Sequence, residues 1–135
     1  MKQIKLLSAT LLILFILNSC NKTPHDKIMG SWDITKIENP KIEDTDIDAF
    51  KELNKEALDN EVFTFTEEKV TKKLPEASEG TWEMDEAGTI LTIDWGEGDI
   101  MSPHSYTIKA LTNDNLIIEE DFDDFIITTT FEKVK

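Results

Sequence analysis

Eight short segments with alternating or β-branched apolar residues recur between Ile28 and Val134, and turn-forming residues separate them. The segments are Ile28 to Ile37, Glu61 to Thr66, Lys69 to Leu74, Gly80 to Met84, Thr89 to Trp95, Ser105 to Leu111, Leu116 to Glu120 and Phe125 to Val134. Turn groups such as Asp85-Glu86-Ala87-Gly88, Thr112-Asn113-Asp114-Asn115 and Asp121-Phe122-Asp123-Asp124 suit tight hairpins, and the connections are too short for parallel crossovers. The pattern predicts an all-β, antiparallel, up-and-down sheet.

A single helix is predicted between the first two strands. Thr45, with Asp48 three residues later, gives an N-cap signal, and charged residues lie between the apolar positions that follow. Those apolar positions, at helical spacing, are Ile47, Phe50, Leu53, Ala57 and Leu58. The segment is therefore expected to form one amphipathic helix.

Eight short strands would leave exposed edges unless the sheet closes on itself. A closed eight-stranded barrel encloses enough space for packed side chains or for one small ligand. We therefore expect an eight-stranded barrel, and its interior becomes the first place to look for function.

The N-terminus has the character of a signal peptide. Lys2 and Lys5 precede an apolar run that ends at Leu17. That run is shorter than the roughly 20 apolar residues that a spanning helix needs. Residues 1 to 19 are expected to be a signal peptide, and the chain is expected to be exported.

The stretch Leu17-Asn18-Ser19-Cys20 resembles the lipobox of bacterial lipoproteins. The resemblance implies cleavage before Cys20, a diacylglycerol on its thiol and acylation of its new amine, with no other cofactor. It also implies a membrane anchor in the cell envelope, and Asn21 favours the outer membrane by resemblance to enteric sorting rules; the face is left open. The alternative is an ordinary signal peptide followed by a free thiol.

Residues 20 to 27 are expected to form a lipidated cysteine and a flexible tether, because the stretch is polar, contains Pro24 and lacks periodicity. Order should begin near Ile28. The remaining length suits one domain, from residue 28 to residue 135.

Gly30-Ser31-Trp32, on the first predicted strand, resembles the Gly-x-Trp signature of the lipocalins and the wider calycin group. The stretch from Ile28 to Lys135 is similar to the small lipocalin-like domains of Gram-negative lipoproteins. The resemblance implies that the glycine allows close approach at the closed end of the barrel and that Trp32 plugs its floor. Lipocalins place an arginine across that tryptophan; this chain has no arginine, and Lys133 takes its position.

Strand alternation from an inward Trp32 identifies the expected interior, and it places Asp33, Thr35, Ile117 and Ile126 outside, the last two under the helix. The inward set is Ile28, Ile34, Phe63, Phe65, Val70, Trp82, Met84, Leu91, Ile93, Tyr106, Ile108, Leu116, Ile118, Ile127, Thr129, Phe131 and Lys133. From it come the candidate ligand-binding residues, which are Trp32, Phe63, Phe65, Trp82, Tyr106, Phe131 and Lys133.

Charge and residue content exclude several functions. The chain carries 28 acidic residues against 14 basic ones, all lysine, so a nucleic-acid partner is not expected. His104 is the one histidine of the predicted domain, which argues against zinc sites and serine hydrolases. The acidic groups near residues 94 to 99 and 121 to 124 do not have the ligand spacing of a calcium loop. No catalytic or metal-binding residue is predicted.

Two functions fit this sequence. One is a lipid-anchored, non-catalytic barrel that binds a small hydrophobic ligand, with the helix as a lid. The alternative is a filled barrel that serves as a structural or interaction module of an envelope assembly, whose acidic face and exposed loops meet another protein.

Overall fold

The computed structural model describes residues 21–42, 47–74 and 76–135. The predicted signal peptide, Cys20 and the predicted N-cap Thr45 lie outside the described residues. The elements are α1 (Pro24–Ile28), β1 (Gly30–Glu38), α2 (Ile47–Leu53), α3 (Lys55–Asn60), β2 (Val62–Phe65), β3 (Lys69–Lys72), β4 (Ser78–Met84), β5 (Ile90–Asp94), β6 (His104–Leu111), β7 (Asn115–Asp121) and β8 (Ile126–Lys133). Within the described segments, no helix has the length and apolar character needed to cross a bilayer.

The eight strands form a closed barrel in which each strand pairs with its neighbours in sequence and β8 pairs back with β1. Every pairing is antiparallel. The predicted all-β, up-and-down barrel with helical structure after the first strand is therefore confirmed. Alternation explains the core: on β5, Leu91 and Ile93 are buried while Ile90 and Asp94 are exposed.

The predicted inward set supplies the core of the barrel. Its fully or nearly fully buried members are Ile28, Trp32, Ile34, Phe65, Val70, Trp82, Leu91, Ile93, Leu116, Ile118 and Phe131. Phe63, Met84, Tyr106 and Ile108 are half-buried and pack against them. Ile127 and Thr129 are also half-buried.

Register shifts in two strands modify the simple alternation. In β1 the shift lies between Ile34 and Lys36, and in β6 it lies between Ile108 and Ala110. An extra residue at such a bulge lets two apolar residues three positions apart face the same side. Ile37 consequently joins Ile34 in packing against the core.

The barrel has two different ends. Helix α1 and the turns at residues 66–68, 85–89 and 112–115 lie at one end, which we call the closed end. The β1–α2 connection and the loops at residues 95–103 and 122–125 lie at the other end, which we call the mouth. At the closed end the indole N–H of Trp32 donates to the carbonyl of Ile28 (2.6 Å).

The prediction that order begins near Ile28 is wrong, because α1 occupies part of the expected tether. Thr23 and Asp26 form a capping box at its start, and hydrogen bonds from Thr23 hold the pKa of Asp26 below its usual range. The ring of His25 stacks on Trp82, with 4.9 Å between ring centroids. Ile28 ends this helix instead of beginning a strand.

The helical structure predicted after β1 is present, and Asn54 divides it into α2 and α3. The Asn54 side-chain amide donates to the carbonyl of Phe50 (2.8 Å), a local bond that competes with helix continuation. Helix α3 packs on β1. Ile117 and Ile126, which were expected under the helix, lie half-buried on β7 and β8, whereas α3 packs on β1.

Candidate ligand site at the mouth of the barrel

Most of the candidate residues predicted from the sequence fill the barrel. Trp32, Phe65, Trp82 and Phe131 are buried. Edge-to-face contacts join Phe65 to Trp82 (5.5 Å between centroids) and Phe63 to Phe131 (5.3 Å). These side chains act as core. They do not line the cavities of about 950, 570 and 310 Å³ on this molecule.

Lys133 completes the floor at the closed end. Its ammonium lies 4.7 Å from the ring centroid of Trp32 and donates to the carbonyl of Lys27 (2.9 Å). Gly30 has φ +116°, a backbone conformation that side chains of L residues rarely adopt, and a Cβ at this position would stand 2.9 Å from Lys133 Cε. Burial lowers the pKa of Lys133. The lysine therefore occupies the position that the sequence resemblance gave to an arginine.

Trp95, which was not among the predicted site residues, fills the barrel near the mouth. It stands edge-on to Phe63, with 5.9 Å between ring centroids. Lys72 Nζ lies 4.4 Å from the centroid of the Trp95 ring. A Cβ on Gly80 would lie 2.4 Å from the carbonyl oxygen of Asp94 and 3.1 Å from the Trp95 ring. Alternation from Ile93 could have identified Trp95, because the two residues lie two positions apart.

His104 bridges two carboxylates beside Trp95. Its Nδ1 lies 2.8 Å from Glu120 Oε1 and its Nε2 lies 3.0 Å from Asp99 Oδ2. Tyr106 stacks on the His104 ring, and burial, followed by the charges of Glu120 and Asp99, raises the pKa of its phenol. These groups close the interior on the side of β6 and β7.

Each ring nitrogen of His104 is hydrogen-bonded to a carboxylate, so neither is placed to accept a proton from a serine hydroxyl. Ser102 Oγ instead donates to Asp94 Oδ1 (2.8 Å), and Ser105 Oγ lies 3.3 Å from Thr92 Oγ1. Among the described residues, no group of three or more His, Cys, Asp and Glu side chains is arranged to hold a metal ion. The two contacts of His104 join the β5–β6 loop to β7.

An apolar cleft of about 950 Å³ lies between the helical segment and strands β1 and β8. Its apolar wall consists of Ile37, Ile42, Ile47, Phe50 and Leu58. The amphipathic stripe predicted on the helix supplies three of these residues, whereas Leu53 of the same segment points outward with 85% of its surface exposed. We call this space the helix cleft.

Unequal strand lengths create the helix cleft. β2 has four residues, and its pairing with β1 stops at Asp33 and Val62. β1 continues to Glu38 without a β2 partner, and α3 packs along it instead. A helix covers a strand less closely than another strand does, so space remains between them.

Charges of both signs surround the helix cleft. The lysines are Lys36, Lys51 and Lys55, and the acidic residues are Glu38, Asp48, Glu52 and Asp59. Lys36 pairs with Glu38 (2.8 Å). Three lysines and four acidic residues nearly balance, so charge of neither sign predominates around the cleft.

Two smaller cavities lie on the outer surface. One of about 570 Å³ lies along β1, β2 and β3, and another of about 310 Å³ lies along β3, β4 and β5. Hydroxyl groups and lysines contribute much of the first wall, including Thr64, Thr71 and Lys73. Neither has the aliphatic and aromatic wall of the helix cleft.

Comparison with solved structures identifies a protein with a similar fold. The crystal structure of a lipocalin-like protein from Bacteroides uniformis matches the chain with a TM-score of 0.53 and 10% sequence identity, covering 80% of this chain and 99% of that one. The fold is that of a lipocalin-like barrel. No protein-family model and no curated protein matches the sequence. The lipocalin-like barrel thus agrees with the resemblance seen in Gly30-Ser31-Trp32, at the level of fold.

Proposed function

We propose that this chain is a non-catalytic protein of the cell envelope whose lipocalin-like barrel binds a small hydrophobic ligand in the helix cleft. The observation that carries the proposal is the apolar wall of Ile37, Ile42, Ile47, Phe50 and Leu58 around about 950 Å³. Ligand sites of small molecules have volumes of about 300–1,000 Å³ and predominantly apolar walls. The helix cleft meets both conditions.

The proposed contact surface differs from the one expected from the sequence. The aromatic residues of the interior, such as Trp32 and Phe131, are occupied with one another as core. Their role in this proposal is to keep β1 and β8 rigid under the ligand. The helices keep the role of a cover, because α2 and α3 form the outer wall of the cleft.

The ligand proposal is tested on protein extracted from its own membrane. Native mass spectrometry would reveal a retained ligand, and titration with a dansylated fatty acid would measure affinity. Phe50→Asp should weaken probe binding at least about tenfold, because burial of a phenylalanine side chain contributes about 1.5–3 kcal/mol. Leu53→Asp is the matched control, since Leu53 lies on the same helix and is exposed.

Two results would overturn the ligand proposal. One is the absence of both a retained ligand and saturable binding of the probe. The other is equal weakening by Phe50→Asp and Leu53→Asp, which would mean that the probe does not bind in the helix cleft.

The proposal includes a lipid anchor on Cys20, consisting of diacylglycerol and an N-terminal acyl group, and an outer-membrane location. Its support is the lipobox resemblance and the lone cysteine. Two or three acyl chains give stable anchoring, since each buried CH₂ contributes about 0.8 kcal/mol. Fractionation of cells that produce Cys20→Ala should find the protein outside the membrane pellet, and its recovery in that pellet would contradict the anchor.

A further inference from the structure

Two neighbouring loops at the mouth expose large apolar side chains. On the β5–β6 loop, Ile100 is 98% exposed and Met101 is 55% exposed, and Phe125 in the β7–β8 turn is 40% exposed. β6 and β7 pair with each other, so the two loops leave adjacent strands at the same end. We call this surface the mouth patch. Clusters of exposed apolar side chains commonly mark interaction sites.

The loops that carry the mouth patch are held in place. His104 joins Asp99 of the first loop to Glu120 at the end of β7. Asp99 Oδ1 also accepts a hydrogen bond from the backbone N–H of Met101 (3.0 Å). In the second loop Phe125 stacks on Phe122, with 4.8 Å between centroids. Binding to a surface already held in its bound shape loses less conformational entropy.

The charge around the mouth patch restricts its partner. Residues 95–103 and 121–125 include Glu97, Asp99, Asp121, Asp123 and Asp124 and contain no lysine. Two lysines lie nearby: Lys41 Nζ is 3.5 Å from the carbonyl oxygen of Asp124, and Lys72 Nζ is 4.4 Å from the Trp95 ring centroid, so the five acidic residues still outnumber the basic ones. The surface remains acidic, which disfavours anionic lipid and a second copy of this chain.

We propose that the mouth patch docks a partner protein that presents lysine and arginine residues around an apolar depression. Ile100 and Met101 enter the depression, and the acidic side chains around them meet the basic rim. This contact is separate from ligand binding in the helix cleft. Such docking would give a function to exposed apolar side chains that the fold itself does not require.

The test uses the full chain in its native envelope, with photoreactive benzoylphenylalanine as the probe at position 100. The matched control carries the same probe at position 134, because Val134 is 50% exposed and follows β8 at the closed end. Position 100 should give a protein adduct that position 134 does not give. Mass spectrometry should locate the crosslink in a segment rich in lysine or arginine.

Charge reversal makes the test specific. The double substitution Glu97→Lys and Asp124→Lys should lower the adduct yield at least about fivefold, because complementary charges steer association. An unchanged thermal unfolding midpoint would show that the variant is folded. No adduct, an adduct with lipid or with a second copy, or a yield that charge reversal leaves unchanged would each overturn the proposal.

Discussion

Lys133 links three parts of the closed end through one side chain. Its ammonium contacts the carbonyl of Lys27 in α1 and the face of Trp32 in β1, and its stem occupies the space that Gly30 leaves open. A lysine can make these contacts because its ammonium is compact and its stem is flexible. The floor of the barrel thus combines a hydrogen bond, a cation–π contact and close packing.

Removal of this side chain should destabilise the barrel. Lys133→Ala is expected to lower the free energy of unfolding by roughly 1–3 kcal/mol, because it removes a charged hydrogen bond and a cation–π contact. Urea unfolding measures the change. Lys135→Ala is the control, since Lys135 is exposed beyond β8. Equal effects of the two substitutions would contradict the role assigned to Lys133.

At the scale of elements, the strands were predictable from the sequence because their signals are local. Alternation and turn residues place β5 and β7 within one or two residues of their observed bounds. The bulge between Ile34 and Lys36 was not predictable, because it depends on the register of a partner strand distant in sequence. The helix cleft depends in the same way on the length of β2 relative to β1.

Glu61 supports the short strand β2 where its pairing with β3 ends. This carboxylate is buried and accepts hydrogen bonds from the backbone N–H groups of Lys73 (2.8 Å) and Leu74 (2.6 Å). The last backbone pair on this side joins Thr64 to Thr71. A side chain therefore continues the contact between the strands after the backbone ladder stops.

Loss of the Glu61 carboxylate should cost more than loss of an exposed one. Glu61→Ala is expected to lower the free energy of unfolding by roughly 2–4 kcal/mol, because two backbone donors lose a charged acceptor. Glu76→Ala, at an exposed position of the β3–β4 connection that Glu61 contacts, should change it little. Thermal and urea unfolding of the two variants compare them. A small effect of Glu61→Ala would mean that water replaces the carboxylate.

Helix α1 determines which end of the barrel would lie closer to a lipid anchor on Cys20. Thr23, which caps α1, is three residues beyond Cys20, so an anchor on Cys20 would lie within about 10–11 Å of Thr23 at the closed end. The strands that separate the two ends have up to nine residues, which corresponds to a barrel height of roughly 20 Å after tilt. An anchored chain would therefore present its mouth, with the helix cleft and the mouth patch, away from its own bilayer.

This orientation can be measured on lipidated protein in vesicles that contain a nitroxide-labelled phospholipid. A fluorophore at position 113, in the β6–β7 turn at the closed end, should be quenched more strongly than one at position 97, in the β5–β6 loop at the mouth. Both positions are exposed, so labelling should leave the fold intact. Stronger quenching at position 97 would place the mouth at the membrane. Ligands would then reach the helix cleft from the bilayer itself. With the mouth directed away from the bilayer, ligands must instead arrive from the aqueous side or from a partner bound at the mouth.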